Sequence, residues 1–328
     1  CGLFGAISGS TVATVVAIGG VMIPALLDNG YDESYTLGVM STSPNLGVII
    51  PPSISMILYS MISNVSLEGL FLTGFVPGGL IMLGICVYTW LKARKNPHLV
   101  GRPAQESGEF LRALREGIWA LLLPVIIFGG IFSGVFTANE AAVVASVYAF
   151  LVELCIHRSL NLKQAKQITV DSAVTSATLL IIVAGATCFG RFLTLENIPN
   201  RLTEMVLAGI NSPELFLLCM NCMLLVIGMF MDIISATLIL GPIFLPMLSS
   251  FQIDPMHFGL IMTVNLAIGY CTPPMGVSLF ITASLARKNI LFVSKAVLPF
   301  LAIQLLVLLL LTYVPQSVLW LPRLMGFP

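Results

Sequence analysis

Continuous apolar runs, most of them near the ~20 residues a helix needs to cross a bilayer, recur along almost the whole of this 328-residue chain. Composition agrees: 57% of residues are hydrophobic and 9% charged, against about 25% charged in a soluble domain. So few charges leave little to face water, and the solvent must be largely lipid. The expected class is an all-α polytopic membrane protein with the lipid bilayer as a partner. The 15 Lys and Arg balance 15 Asp and Glu. No basic stripe exists, which argues against nucleic acid.

The expected spans are 36–63, 69–91, 118–135, 138–156, 168–190, 257–285 and 296–314, preceded by a Gly-, Ser- and Thr-rich apolar stretch, 1–27. Residues 191–212 read as interfacial, and 213–249 as two short apolar arms around Asp232. The basic loops 92–117, 157–167 and 286–295 belong in the cytoplasm by their excess of Lys and Arg. Parity then requires 213–249 to be a re-entrant hairpin from the periplasmic side, and 1–27 to carry an arm of a hairpin from the cytoplasmic side. Residues 28–35 fall in the cytoplasm although they hold Asp28, Asp32 and Glu33 and no Lys or Arg; acidic residues weigh little in this rule. The chain opens on Cys1 inside an apolar segment, so an N-terminal part is expected ahead of it. Cys219 and Cys222 read as helix packing, because no second ligand pair or nearby His accompanies them.

Two segments resemble each other. Asn45-Leu46 leads to Pro51-Pro52, and Asn265-Leu266 to Pro273-Pro274. Upstream of each lies an apolar stretch ending in Pro24 or Pro246, and ahead of that a polar patch, Ser8 to Thr11 or Asp232 to Thr237. The topology puts the two units in opposite orientations, an inverted repeat of re-entrant hairpin plus Pro-Pro-broken helix. Proline lacks an N–H and clashes with the carbonyl one turn back, so a doublet opens the helix and frees carbonyls. In lipid these are tolerated only where protein, water or an ion satisfies them. Oxygens with little formal charge suit Na⁺, and each unit is expected to build one cation site between hairpin tip and break. A simple kink is the plainer account of a single doublet; two at matching places favour the sites.

Gly5 to Gly19, Gly47 to Ser53, Gly228 to Asp232, and Asn265 to Gly269 followed by Thr272-Pro273-Pro274 resemble the large permease subunit of tripartite ATP-independent periplasmic (TRAP) transporters. Thr137 to Ala142 is similar to that family's Thr-Pro-Thr-Glu-Ala-Ala and departs from it at Ala138 and Asn139. The resemblance runs the length of the chain and implies further helices before residue 1. It also implies a bacterial inner-membrane carrier of the elevator type. Its partners would be a small four-helix membrane subunit and a periplasmic substrate-binding protein. Sodium would drive uptake of a small organic anion such as sialic acid, a C4-dicarboxylate or a sugar acid. The alternative is a related sodium/carboxylate symporter that works without a binding protein. The expected organisation is a transport domain from 1–63 and 171–285, connecting or scaffold helices at 64–170, and a C-terminal scaffold helix in 286–328.

Oxygens for Na⁺ are expected from Ser8, Ser10 and Thr11 at the first tip, from Asn45, Gly47 and Ser53 at the first break, and from Asp232, Thr237, Asn265, Gly269 and Thr272 in the second unit. The glycines would contribute backbone carbonyls. Substrate is expected near Ser10, Ser53, Ser55, Ser235 and Arg191. Small polar residues also let helices pack closely, which is the plainer role for the tip hydroxyls. Asp232 is either an ion ligand or a cap for the helix that follows, and the roles can coexist. Arg191 either meets a carboxylate or snorkels from the end of its span. Thr137 and Glu140 have the spacing of a capping box, a structural role. No paired Asp-Asp, Ser-His or His-Glu set lies within the spans, which argues against an intramembrane enzyme.

Overall fold

The computed structural model describes residues 1–94, 107–210 and 212–327. Of the expected basic loop 92–117, Lys95 and Arg102 lie outside the described residues. The elements are α1 (Gly2–Ser8), α2 (Thr11–Asp28), α3 (Glu33–Thr42), a 3₁₀ turn (Ser43–Asn45), α4 (Leu46–Ile49), α5 (Ile54–Ser63), α6 (Leu67–Arg94), α7 (Ser107–Phe132), α8 (Ala138–Leu151), α9 (Leu162–Leu195), α10 (Ile198–Gly209), α11 (Pro213–Phe230), α12 (Ile233–Ser250), α13 (Pro255–Gly269), α14 (Val277–Ala286), α15 (Ile290–Tyr313) and α16 (Gln316–Leu324). Among the described residues, eight helical segments are long and apolar enough to cross a membrane.

Two compact units emerge, one of residues 1–100 with 186–328, the other of residues 101–185. In the first, two helical hairpins stand beside two broken helices. α1 turns into α2 through Gly9, whose φ of 61° is the left-handed conformation glycine adopts without cost. α3 to α5 form the first broken helix. Its main break falls at Pro51-Pro52 as the sequence led one to expect. A second interruption, the 3₁₀ turn over Ser43–Asn45, was not expected; Pro44 cannot supply the N–H that an α-helix needs there. α13 and α14 form the other broken helix, open from Tyr270 to Gly276. Both Pro-Pro peptide bonds are cis.

The packing of these elements is reciprocal. α1 lies on α4 and α11 on α13, while α2 lies on α14 and α12 on α5. Both hairpin–break contacts are glycine on glycine. A Cβ on Gly5 would overlap the Cα of Gly47, and a Cβ on Gly269 would fall 2.7 Å from the Cα of Gly228. Such an approach exists only without side chains. α15 packs along α3 and also touches α6 and α13.

The acidic stretch 28–35 is balanced in three dimensions. Asp32 pairs with Lys92 at 3.1 Å and Glu33 with Lys288 at 2.9 Å. Residues 28–35 therefore share one end of the unit with the C-terminus of α6 and the α14–α15 loop, as the topology argument requires.

The unit of residues 101–185 contains α7, α8 and most of α9. Ile127, Ile131 and Ala141 form its buried cluster. Thr137 and Glu140 make the expected capping box: Glu140 N–H donates to Thr137 Oγ1 at 3.3 Å, and Thr137 N–H to Glu140 Oε2 at 2.8 Å. Two boundaries differ from expectation. α9 starts at Leu162, so Lys163 and Lys166 lie on its first turns rather than in a loop. It also continues to Leu195, so Arg191 sits within the helix rather than at its end. Lysine, arginine, glutamine and leucine are good helix formers, so the helix runs past the apolar span that hydropathy averaged over a window picks out.

Candidate functional site

A cavity of about 100 Å³ lies where three helices begin. Its lining comes from Gly9 to Val12 at the start of α2, Ile54 and Ser55 at the start of α5, and Asp232 to Ile234 at the start of α12, with Val48 and Tyr270 beside them. Each helix starts there because its sequence prevents an earlier start. Ser10 is extended and accepts from Ala13 N–H at 3.4 Å. Asp232 is extended and accepts from Ser235 N–H at 2.8 Å. α5 follows the Pro doublet and has no side-chain cap, because the Ser53 hydroxyl bonds Ser55 Oγ at 3.0 Å instead. Helix N-termini carry partial positive charge and exposed N–H groups, so their convergence favours an anion.

Around the first tip the donors are neutral. Thr14 Oγ1 donates to the Ser10 carbonyl at 2.8 Å, and Ser8 Oγ lies 3.1 Å from Thr14 Oγ1 and 3.3 Å from the Ser10 carbonyl. Thr11 Oγ1 is buried without a hydrogen-bond partner. Gly47 faces the same group: a Cβ there would lie 3.1 Å from Thr14 Oγ1. Asn45 is fully buried, and its amide nitrogen points to Cys271 Sγ and Gln304 Oε1.

Around the second tip the one formal charge is Asp232, an exposed side chain whose capping bond is now observed. Thr237 donates to the Ile233 carbonyl at 2.7 Å and Thr272 to the Ile268 carbonyl at 2.7 Å. Asn265 donates to the carbonyl of Asn221 and to its Oδ1. Asn45 Oδ1 and Asn265 Oδ1 are both buried with no partner. Hydroxyl, amide and carbonyl oxygens and carboxylates are the donor types that a hard cation accepts.

Of the residues singled out by sequence, Ser10, Thr11, Ser55 and Asp232 line the cavity. Ser8 and Ser53 adjoin it through their bonds to Ser10 and Ser55. Gly47, Asn45, Asn265, Gly269, Thr237, Thr272 and Ser235 are not among its lining, and neither is Arg191, which is exposed on α9. Sequence reasoning missed Thr14 and Tyr270. Thr14 was findable, since it lies one helical turn after Ser10 on the same face. Tyr270 was not, because only the fold turns the start of the second break toward the first tip.

The sequence matches the family described as tripartite ATP-independent periplasmic transporter, DctM component, over residues 1–317. It is 40% identical over 326 residues to the C4-dicarboxylate TRAP transporter large permease protein DctM of Pseudomonas aeruginosa, covering 99% of this chain and 76% of that protein. It is 39% identical over 315 residues to the isethionate TRAP transporter permease protein DctMQ of Oleidesulfovibrio alaskensis, covering 96% of this chain and 50% of that protein. Against the sialic acid TRAP transporter large permease protein SiaM of Vibrio cholerae, identity is 34% over 322 residues, 98% of this chain and 75% of that protein.

Proposed function

The chain belongs to the DctM family of TRAP transporter large permease components, a multi-pass membrane protein and not an enzyme, and from that premise we propose that it carries out sodium-coupled uptake of a small organic anion across a bacterial inner membrane. Its partners are a periplasmic binding protein that delivers the anion and a small membrane subunit. The name of the DctMQ relative suits such a second subunit, joined there to the large one in a single chain.

What carries the reading is the convergence of the N-termini of α2, α5 and α12 on one cavity beside Asp232. The three N-termini attract the anion, and Ser10 and Ser55 offer it hydroxyls. Asp232 repels it, so anion binding alone is unfavourable until that charge is offset. A bound sodium ion supplies the offsetting charge. Ser8, Ser10, Thr11, Gly47 and Asn45 would hold one ion at the first tip; Asp232, Gly269 and Asn265 would hold another at the second. The neutral donor set, with buried oxygens lacking partners, fits Na⁺. About 100 Å³ is below the ~300–1,000 Å³ of pockets that enclose whole ligands. The cavity therefore takes the anionic end of the substrate, and the remaining skeleton lies outside it. The reciprocal hairpin–break packing supports an inverted repeat that moves as an elevator.

The test is uptake by proteoliposomes holding the intact permease with its small subunit, with and without an inward Na⁺ gradient and the binding protein. C4-dicarboxylates head the panel, followed by sialic acid, isethionate and sugar acids. Uptake that needs both the gradient and the binding protein is expected. Sodium-driven uptake without the protein would replace this reading with a direct symporter, and gradient-independent uptake would exclude sodium coupling.

A further inference from the structure

Two hydrogen-bond chains, one at each break, connect an asparagine to α15, and each can run in one direction only. At the first break Gln304 Nε2 donates to the Thr42 carbonyl at 3.1 Å. A backbone carbonyl only accepts, so the Gln304 amide is oriented and its Oε1 is left to receive Asn45 Nδ2 at 3.2 Å. Asn45 Oδ1 must then point away from the chain, and it is buried with no partner. At the second break the Thr312 hydroxyl donates to the Leu308 carbonyl at 2.7 Å, so its oxygen accepts from Asn221 Nδ2 at 2.8 Å. Asn221 Oδ1 accepts from Asn265 Nδ2 at 2.8 Å, and the same Nδ2 also donates to the Asn221 carbonyl at 2.9 Å. Asn265 Oδ1 again ends buried and unmet. Asn45, Asn265 and Gln304 are 0% exposed, and Thr312 1%.

Each chain is thus anchored on a backbone carbonyl, passes through a side chain of α15, and ends on an amide oxygen that none of the described residues satisfies. A buried acceptor left unmet is costly. Hydrogen bonds in series polarise one another and increase the negative charge on the last oxygen. Reversed amides would end on N–H donors and repel a cation. Packing alone accounts for buried amides; it does not account for two chains that both end on an unpaired acceptor.

We propose that Gln304 and Thr312, the latter acting through Asn221, are positioning residues of α15 that fix Asn45 and Asn265 so that each presents its carbonyl oxygen to a monovalent cation at its break. The proposal rests on the sodium reading above and deepens it: cation affinity at both breaks depends on a helix that belongs to neither of them.

The experiment follows the thermal unfolding of the intact permease in detergent as NaCl replaces KCl at constant ionic strength. Its readout is the Na⁺ concentration giving half the stabilisation. Thr312→Val keeps the shape and removes the hydroxyl, Gln304→Met keeps the length and removes the amide, and Thr312→Ser restores the hydroxyl. Both deletions are expected to raise that concentration roughly 10–100-fold, as lost outer-shell partners of metal ligands do, with Thr312→Ser staying within about threefold of the parent. Gln304→Met carries the test if Thr312→Val does not fold. Variants that melt lower in KCl but keep the parent's Na⁺ midpoint would overturn the proposal and leave the sodium reading intact. A parent protein stabilised no better by Na⁺ than by K⁺ would remove the sodium reading and the proposal together.

Discussion

The hairpin α1–α2 turns on Gly9 and Ser10, whereas α11–α12 turns on Met231 and Asp232. Behind both tips a glycine of the hairpin meets a glycine of the broken helix, Gly5 on Gly47 and Gly228 on Gly269. Each of those broken-helix glycines lies four residues before its Pro doublet. The backbone plan is shared, and the chemistry placed on it is not. The first tip offers hydroxyls and carbonyls with no formal charge; the second offers a carboxylate. The caps differ too, a neutral bond of 3.4 Å from Ala13 to Ser10 against a charge-assisted bond of 2.8 Å from Ser235 to Asp232. The asparagines reach α15 differently, Asn45 directly through Gln304 and Asn265 by way of Asn221 in its own hairpin arm. Close backbone approach is therefore what both sites need in common, and charge is what separates them.

The largest expected effect tests the shared part. Gly5→Ala places a Cβ against the Gly47 backbone, and overpacking of that kind costs about 1–3 kcal/mol, here toward the upper end. Gly228→Ala, whose nearest neighbour is 3.1 Å from the added Cβ, should fall toward the lower end. Thermal unfolding in detergent measures both; no loss in one of the two variants would break the parallel between the hairpins, and a larger loss for Gly228→Ala would overturn the order. Asp232→Asn comes next and tests the difference. Asparagine still caps a helix, so melting should change little while sodium-driven uptake falls about tenfold, near 1.4 kcal/mol. Unchanged uptake would reduce Asp232 to a cap. Asp232→Ala should then lose about 1 kcal/mol of stability in addition, and Ser10→Ala only a few tenths, because its bond is long and neutral.

The smallest effect concerns the joints behind the tips, where Asp32 caps α3 and Asp254 caps α13. Asp32 alone of the two is paired with a lysine across the unit. Burial pushes its carboxyl up, but hydrogen bonds from Lys92 and from the backbone N–H groups of Tyr35 and Ser34 outweigh that and hold it below the usual carboxylate value. A lowered folded value means the pair stabilises above the unfolded carboxylate range and loses this as pH falls through the folded value. The side chains are 31% and 58% exposed, so solvent screening limits the pair to ~0.5 kcal/mol. Lys92→Met should melt slightly below the parent at about pH 6, and the gap should close as pH falls below the usual carboxylate range. A gap that persists in acid would assign the effect to packing.

Much of this was legible beforehand. Lipid as solvent followed from apolar runs, the hairpin and break positions from Gly, Ser, Asp and Pro-Pro, and the capping box from Thr137 and Glu140. These are local rules, satisfied by residues within a turn or two of each other. The ends of α9 were misjudged because a window average finds the apolar span and not the helix that continues past it, and the 3₁₀ turn because Pro44 lies inside an apolar span whose average it hardly changes. Tyr270 at the cavity, the Lys92 and Lys288 partners of the acidic joint, and the α15 chains to Asn45 and Asn265 could be decided only by the tertiary structure. The bonds that tie separate elements together there join residues 44 to 262 positions apart. An apolar sequence fixes where helices begin and stop, since each backbone must satisfy itself in lipid. Which polar atoms remain unmet depends on what the neighbouring helices bring to them, and that exists only once the helices are packed.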